Sequence, residues 1–180
     1  MKNICHLKRG GGDVLTTRLS NGNSVVISRE KIHSILQDKI YRLEEMGVKQ
    51  ILLLCTGVFP GLQTKTSHLI EPDRIIPPVI KAIVGQRRLG VIAPLAEQIE
   101  SLREKFSHFS MSPHFAVASP YQNNVSNFER AAIELEDQSD IILLDCMAYT
   151  EQARRIVSKL TGLPVIVSNE MMGKLVSEMV

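Results

Sequence analysis

The strongest constraint on the fold is a pair of short apolar runs, each ended by a cysteine. Ile51–Cys55 and Ile141–Leu144 are unbroken by polar residues, and Cys146 follows the second run. Strands without alternation are covered on both faces, which is the condition of a parallel sheet wrapped by helices. The segments leading into the two runs also match. Arg29–Met46 carries Ile32, Ile35, Leu36, Ile40 and Leu43 at helical spacing, is closed by Gly47, and precedes a strand over Val48–Cys55. Val125–Gln138 carries Phe128, Ala131, Ala132 and Leu135, and Ser139-Asp140 opens the second strand. The pattern is written twice, half a chain length apart, so the chain contains two similar α/β halves.

The remaining segments fit that plan. Lys8–Asp13, with three consecutive glycines, reads as a loop-like start. Val14–Leu19 and Ser24–Ser28 flank Ser20-Asn21-Gly22-Asn23 as a β-hairpin, and Ser28 is placed to N-cap the first helix. The prolines of Glu71–Pro78 make a stiff connector or helix start, with helix over Pro78–Val84. Strands are expected at Leu89–Ala93, Phe115–Ala118, Ile141–Asp145 and Pro164–Val167, and helices at Pro94–Phe106, Thr150–Leu160 and Asn169–Met179. The fold class is therefore α/β: two lobes, 1–76 and 77–180, each a parallel sheet flanked by helices, with the last helix packing back on the first lobe. The second half has four strands and the first has one parallel-type strand plus a hairpin. If the halves are duplicates, the first lacks a strand at its N-terminal side.

Composition narrows the function. The 180 residues carry 21 Lys+Arg against 19 Asp+Glu, a net charge of +2, so no strong field draws nucleic acid or anionic lipid. Aromatic residues are 4% with no Trp, which disfavours base stacking. Three cysteines cannot all pair within one chain, so a secreted disulfide scaffold is excluded. MKNICHLKRGGG lacks a signal-peptide core, and no apolar run is long enough to span a bilayer, so a cytoplasmic location is expected. Metal-ligand spacing, a phosphate-cradling glycine loop, a nucleophile-elbow serine and a Cys-x-x-Cys pair are all missing; neither metal nor cofactor is expected.

In open parallel sheets, ligands bind outside the carboxyl ends of the strands. That rule selects Cys55-Thr56-Gly57, Ala93-Pro94, Ser119-Pro120-Tyr121, Asp145-Cys146-Met147 and Ser168-Asn169. With the halves facing each other, Cys55 and Cys146 address one cleft from opposite sides. Two such thiols suit removal of a proton from one face of a carbon and delivery of another to the opposite face, because a cysteine pKa of about 8.5 can be tuned towards neutrality. Helix N-termini after each strand would supply that tuning and hold a substrate carboxylate, with Thr56, Gly57 and Thr150 as donors. Burial for its own sake is the competing account of each cysteine.

Other residues have plainer readings beside functional ones. Asp145 can accept from backbone amides in the next turn, and His68 is a surface histidine or a cleft residue. Glu71 and Arg74 form a structural ion pair or cap, with ligand binding as the alternative. Tyr121, Asn123 and Asn124 either contact substrate or make a turn. Cys5 has no assigned role.

At these residues the chain resembles the AroM family, within the aspartate/glutamate racemase-like superfamily. The resemblance lies in Leu52-Leu53-Leu54-Cys55-Thr56-Gly57, Glu71-Pro72-Asp73-Arg74-Ile75-Ile76-Pro77-Pro78, Leu89-Gly90-Val91-Ile92-Ala93-Pro94 and Ile142-Leu143-Leu144-Asp145-Cys146-Met147, supported by Leu19–Lys31 and Pro164–Asn169. It runs from about Asp13 onward. The superfamily includes amino-acid racemases, hydantoin racemases, maleate isomerases and arylmalonate decarboxylases, whose two strand-end cysteines act on opposite faces of the substrate. The resemblance thus implies a cofactor-independent racemase or isomerase of a small carboxylate, with Cys55 and Cys146 catalytic and Thr56, Gly57, Pro94, Tyr121, Met147, Thr150 and Asn169 binding substrate. A non-catalytic carboxylate-binding or regulatory protein is the alternative. Relatives begin with an apolar strand that is missing here. Its absence implies exposed apolar edges and a first half that is either poorly stable alone or covered by association, as in a homodimer; lowered stability and a chain that can lack activity are the expectation.

Overall fold

A computed structural model of the chain describes residues 14–19, 23–122 and 124–179. The loop-like start, Cys5, the hairpin-turn residues Ser20–Gly22 and Asn123 lie outside the described residues. The expected hairpin is formed by β1 (Val14–Arg18) and β2 (Ser24–Ser28), paired antiparallel from Val14↔Ser28 to Arg18↔Ser24. Helix α1 (Arg29–Glu45) follows at once. Ser28 occupies its N-cap position, but its side chain makes no capping hydrogen bond.

The first parallel pair is shorter than the apolar run suggests, and it has a partner that periodicity does not reveal. β3 (Gln50–Leu52) pairs in parallel with β4 (His68–Ile70). β4 is three residues long, below the length at which alternation is legible, and its pairing is set by tertiary contact. Helix α2 (Pro72–Val84) begins six residues before the expected Pro78. Pro72 sits in its first turn, where a missing N–H costs nothing. Pro77 and Pro78 lie farther in and deprive the helix of two backbone bonds, but complete burial of Ile76 and Ile80 offsets that loss.

The main sheet has the order β6-β5-β7-β8, all parallel, from β5 (Leu89–Ala93), β6 (His114–Val117), β7 (Ile141–Leu144) and β8 (Val165–Val167). β5 and β7 are buried throughout, as central strands must be, and the edges β6 and β8 are partly exposed. Pro94 does not start a long helix. A 3-10 turn at Ala96–Gln98 intervenes before α3 (Ile99–Ser107). Helices α4 (Val125–Glu136), α5 (Glu151–Thr161) and α6 (Ser168–Ser177) complete the chain, giving six α-helices among the described residues. The fold class is α/β.

Each face of the main sheet has its own core. Val91, Leu143, Ile76, Ile80, Phe106 and Met172 fill one face, under α2, α3 and α6. Ile92, Ile142, Leu144, Ala132, Tyr149 and Val157 fill the other, under α4 and α5. A third core joins Leu15, Ile40, Ile51, Leu53, Phe59 and Leu62 around α1. Helix α2 crosses the 76/77 position, and Met172 of α6 shares a core with Ile70 of β4. The Gln50 side chain also donates to the Met179 carbonyl just past α6, at 2.8 Å. No described helix is long and apolar enough to cross a membrane.

Candidate active site

The main sheet's topology selects one end and one seam. The chain leaves β5 for β6 on one side, then returns through α4 to β7 on the other, so strand order reverses between β5 and β7. In parallel sheets a crevice opens outside the carboxyl ends at such a reversal. Pro94 ends β5 and Asp145-Cys146 ends β7 there, and Cys55 arrives from beyond β3. A cavity of about 280 Å³ forms at this point, and both Cys55 and Cys146 line it. Thr56, Gly57, Pro94, Tyr121 and Met147 line it as well.

Each thiol has its own partners. The Gly57 amide points at Cys55 Sγ at 3.4 Å. Burial pushes the Cys55 thiol above its ordinary range, opposed by that amide, the Arg29 guanidinium and the Lys105 ammonium. Burial also pushes Cys146 up, to about 11, opposed by the Ala148 amide and a hydrogen bond from the Tyr121 hydroxyl. The Tyr121 phenol, itself half buried beside Cys146, is pushed up to about 12. The expectation that helix N-termini lower both thiols is not met. No helix begins after Cys55, where the chain runs through a loop to β4, and α5 starts only at Glu151. At both thiols desolvation outweighs the amides.

The loop after Cys146 is held by residues expected to bind substrate. Asn169 donates to the carbonyls of Met147 and Tyr149 at 3.1 and 2.8 Å. Thr150 N-caps α5, accepting from the Ala153 amide at 3.3 Å. Neither residue lines the cavity between the cysteines. Asn124 likewise caps α4 through the Ser126 amide, and Glu71 pairs with Arg74 at 3.0 Å, in keeping with its structural reading. His68 is exposed on β4.

Asp145 does not serve the next turn, contrary to its expected backbone role. It forms a buried ion pair with Lys105 and accepts from Ser168 Oγ at 3.1 Å. Lys105 Nζ also donates to the Thr56 carbonyl at 3.2 Å, and Thr56 Oγ1 donates to the Asp145 carbonyl at 3.3 Å. The residue after Cys55 and the residue before Cys146 are thus tied through one ammonium group. Sequence reasoning missed Lys105, although it sits three residues after Leu102 and one before Phe106 on the apolar face of α3. It also missed Arg29, the first residue of α1, which lines the cavity with its guanidinium 5.9 Å from the Phe59 ring centroid.

Several solved structures share this architecture. A double mutant of arylmalonate decarboxylase in liganded form superposes with a TM-score of 0.61 at 20% identity, over 79% of this chain and 71% of its own. Glutamate racemase from Aquifex pyrophilus gives 0.61 at 16%, over 86% and 68%. Picrophilus torridus aspartate racemase gives 0.52 at 15%, over 76% and 64%. At these identities the likeness is one of fold, and the chain has the α/β fold of the aspartate/glutamate racemases. No curated protein matches the sequence. The AroM protein family pattern matches residues 7–180, and the chain belongs to the AroM family.

Proposed function

We propose that the protein is a cofactor-independent racemase or isomerase of a small carboxylate, with Cys55 and Cys146 as the acid–base pair, one from each lobe. The observation that carries this reading is that two strand-end thiols line one small cavity, each with a backbone amide beside it. Cys55 is the group assigned as base, because the Gly57 amide and the Arg29 guanidinium both oppose the upward shift that burial gives its thiol. Cys146 is the group that starts with the proton to give, since a thiol at about 11 stays protonated across the physiological range.

In the forward direction the Cys55 thiolate takes the proton from the substrate's α-carbon. The electron pair of the broken C–H bond moves into the carboxylate as an ene-diolate. Collapse of that ene-diolate takes the Cys146 proton on the opposite face, leaving Cys55 as thiol and Cys146 as thiolate. The reverse reaction exchanges the roles. A raised pKa lowers the thiolate fraction at neutral pH but makes the thiolate that forms a stronger base.

Solvent-deuterium exchange tests the mechanism. Wild type should exchange the α-hydrogen of a turned-over carboxylate, and Cys55→Ser or Cys146→Ser should each lose at least one face of that exchange. Wild-type exchange in both variants would sink the two-thiol mechanism. Burial of both thiols favours a second reading, a carboxylate-binding protein without turnover. That protein would bind saturably, show no exchange, and leave both thiol pKa values unlowered when ligand is bound.

A further inference from the structure

Each cysteine is followed by the same arrangement of one peptide group. The residue two places on presents its backbone N–H to the sulfur: Gly57 to Cys55 Sγ at 3.4 Å, and Ala148 to Cys146. That N–H shares a planar peptide unit with the carbonyl of the residue between, Thr56 or Met147, so fixing the carbonyl fixes the direction of the N–H. Both carbonyls are held by a side chain. Lys105 Nζ donates to the Thr56 oxygen at 3.2 Å, and Asn169 Nδ2 donates to the Met147 oxygen at 3.1 Å. Neither donor lines the cavity between the cysteines.

Such a hold matters because no ladder or helix sets these two planes. β3 ends at Leu52 and β4 begins at His68, while β7 ends at Leu144 and α5 begins at Glu151. The donors themselves stand on helices, Lys105 in α3 and Asn169 in the first turn of α6. Both are fully engaged there. Lys105 also pairs with Asp145, and the Phe106 ring centroid lies 4.9 Å from its nitrogen. Asn169 Nδ2 also donates to the Tyr149 carbonyl at 2.8 Å, so its two N–H groups are both spent on the loop after Cys146. The two holds differ in charge. An ammonium polarises the peptide it grips, and strengthens the N–H at the other end, more than a neutral amide does. The charged hold serves Cys55, the group assigned as base.

We infer that Lys105 and Asn169 are paired positioning residues, each holding through one peptide group the amide that stabilises one thiolate: Lys105 for Cys55, Asn169 for Cys146. This deepens the proposed acid–base reading and rests on it for what the thiolates do, but it is tested on thiolate reactivity without any turnover.

The test is alkylation of the full chain by iodoacetamide at one pH below both thiol midpoints, with each cysteine followed separately by mass spectrometry and each variant checked by thermal melt. In the double variant Lys105→Met with Asp145→Asn, both buried charges leave together. Cys55 should then react at least about threefold more slowly than in wild type, part of the roughly tenfold or more that a hydrogen bond to a charged group is worth. Charge alone predicts no slowing, because Asp145 disfavours the Cys55 thiolate more than Lys105 favours it. Cys146 should not slow in that variant. Asn169→Leu removes no charge and tests the second hold independently: Cys146 should slow by about the same factor, and Cys55 should stay within about twofold of wild type. A site that had merely loosened would expose both thiols and speed both. Cys55 at or above its wild-type rate in the double variant, Cys146 unslowed in Asn169→Leu, or both cysteines accelerated in either variant would each overturn the inference. The two proposals fail separately. Absence of α-deuterium exchange in wild type removes the racemase reading while the selective slowing stands, and exchange without selective slowing does the opposite.

Discussion

Replacing Lys105 by Met tests the element that joins the two cysteine-bearing strand ends. The Lys105 and Asp145 side chains are 3% and 0% exposed, so water screens neither charge. Methionine matches the length of the lysine stem and packs in its place against Phe106 without a large void. What remains is a buried Asp145 carboxylate with Ser168 as its side-chain donor, and a Thr56 carbonyl that has lost its donor. Removing one partner of a buried ion pair costs about 3–5 kcal/mol, because the other charge is stranded in low dielectric. For a chain of this size, that corresponds to a fall in melting temperature of roughly 6–20 °C. Urea unfolding and a thermal melt read it directly. With the Lys105 ammonium gone and the Asp145 charge unpaired, the Cys55 thiolate is less favoured, and iodoacetamide should alkylate Cys55 more slowly in the variant under native conditions. The double variant Lys105→Met with Asp145→Asn removes the stranded charge and should recover at least half of the lost stability. A single Lys105→Met variant within about 1 kcal/mol of wild type, or a double variant no better than the single, would refute the argument that an isolated buried carboxylate is what costs.

Three further outcomes follow from the same structure. Alkylation of Cys146 should accelerate with pH up to about 11 in the free protein, since burial holds it as a thiol below that; a midpoint at the ordinary cysteine value would contradict the site geometry. Glu44 Oε1 accepts from the amides of Lys65, Thr66 and Ser67, which holds its carboxyl down at about 2 from an ordinary 4.5. Its contribution to stability is therefore full above about 4.5 and lost as pH falls towards about 2, and Glu44→Gln should flatten that part of an acid-unfolding curve. Gly90→Ala would place a Cβ 2.4 Å from Ser139 Oγ and 3.2 Å from Leu135 Cδ1, and should cost about 1–3 kcal/mol by urea unfolding. Adding Ser139→Ala should return part of that loss, because the Ser139 hydroxyl is itself buried without a partner.

What the sequence reveals and what it hides divide along one physical line. β5, β7, α4 and α5 are legible because their residues are chosen by burial, and burial writes a period into the chain. Cys55 and Cys146 are legible for a related reason: they end apolar runs, and the ends of parallel strands are where crevices form. β4 is hidden because three residues hold no period, and α2 is hidden at its start because Pro77 and Pro78 read as breaks. Ile76 and Ile80 override them by packing against the main sheet. Arg29 leaves no local trace. A charged residue at the start of a helix reads as surface, and tertiary contact places it at the cavity wall over the Phe59 ring. Lys105 does leave one, as a charge on the apolar face of α3, and a buried lysine demands a buried anion. Following that demand leads to Asp145, the residue before Cys146, and from there to the Thr56 carbonyl beside Cys55. A charge out of pattern in α3 is thus the local signal that the two strand ends share one site.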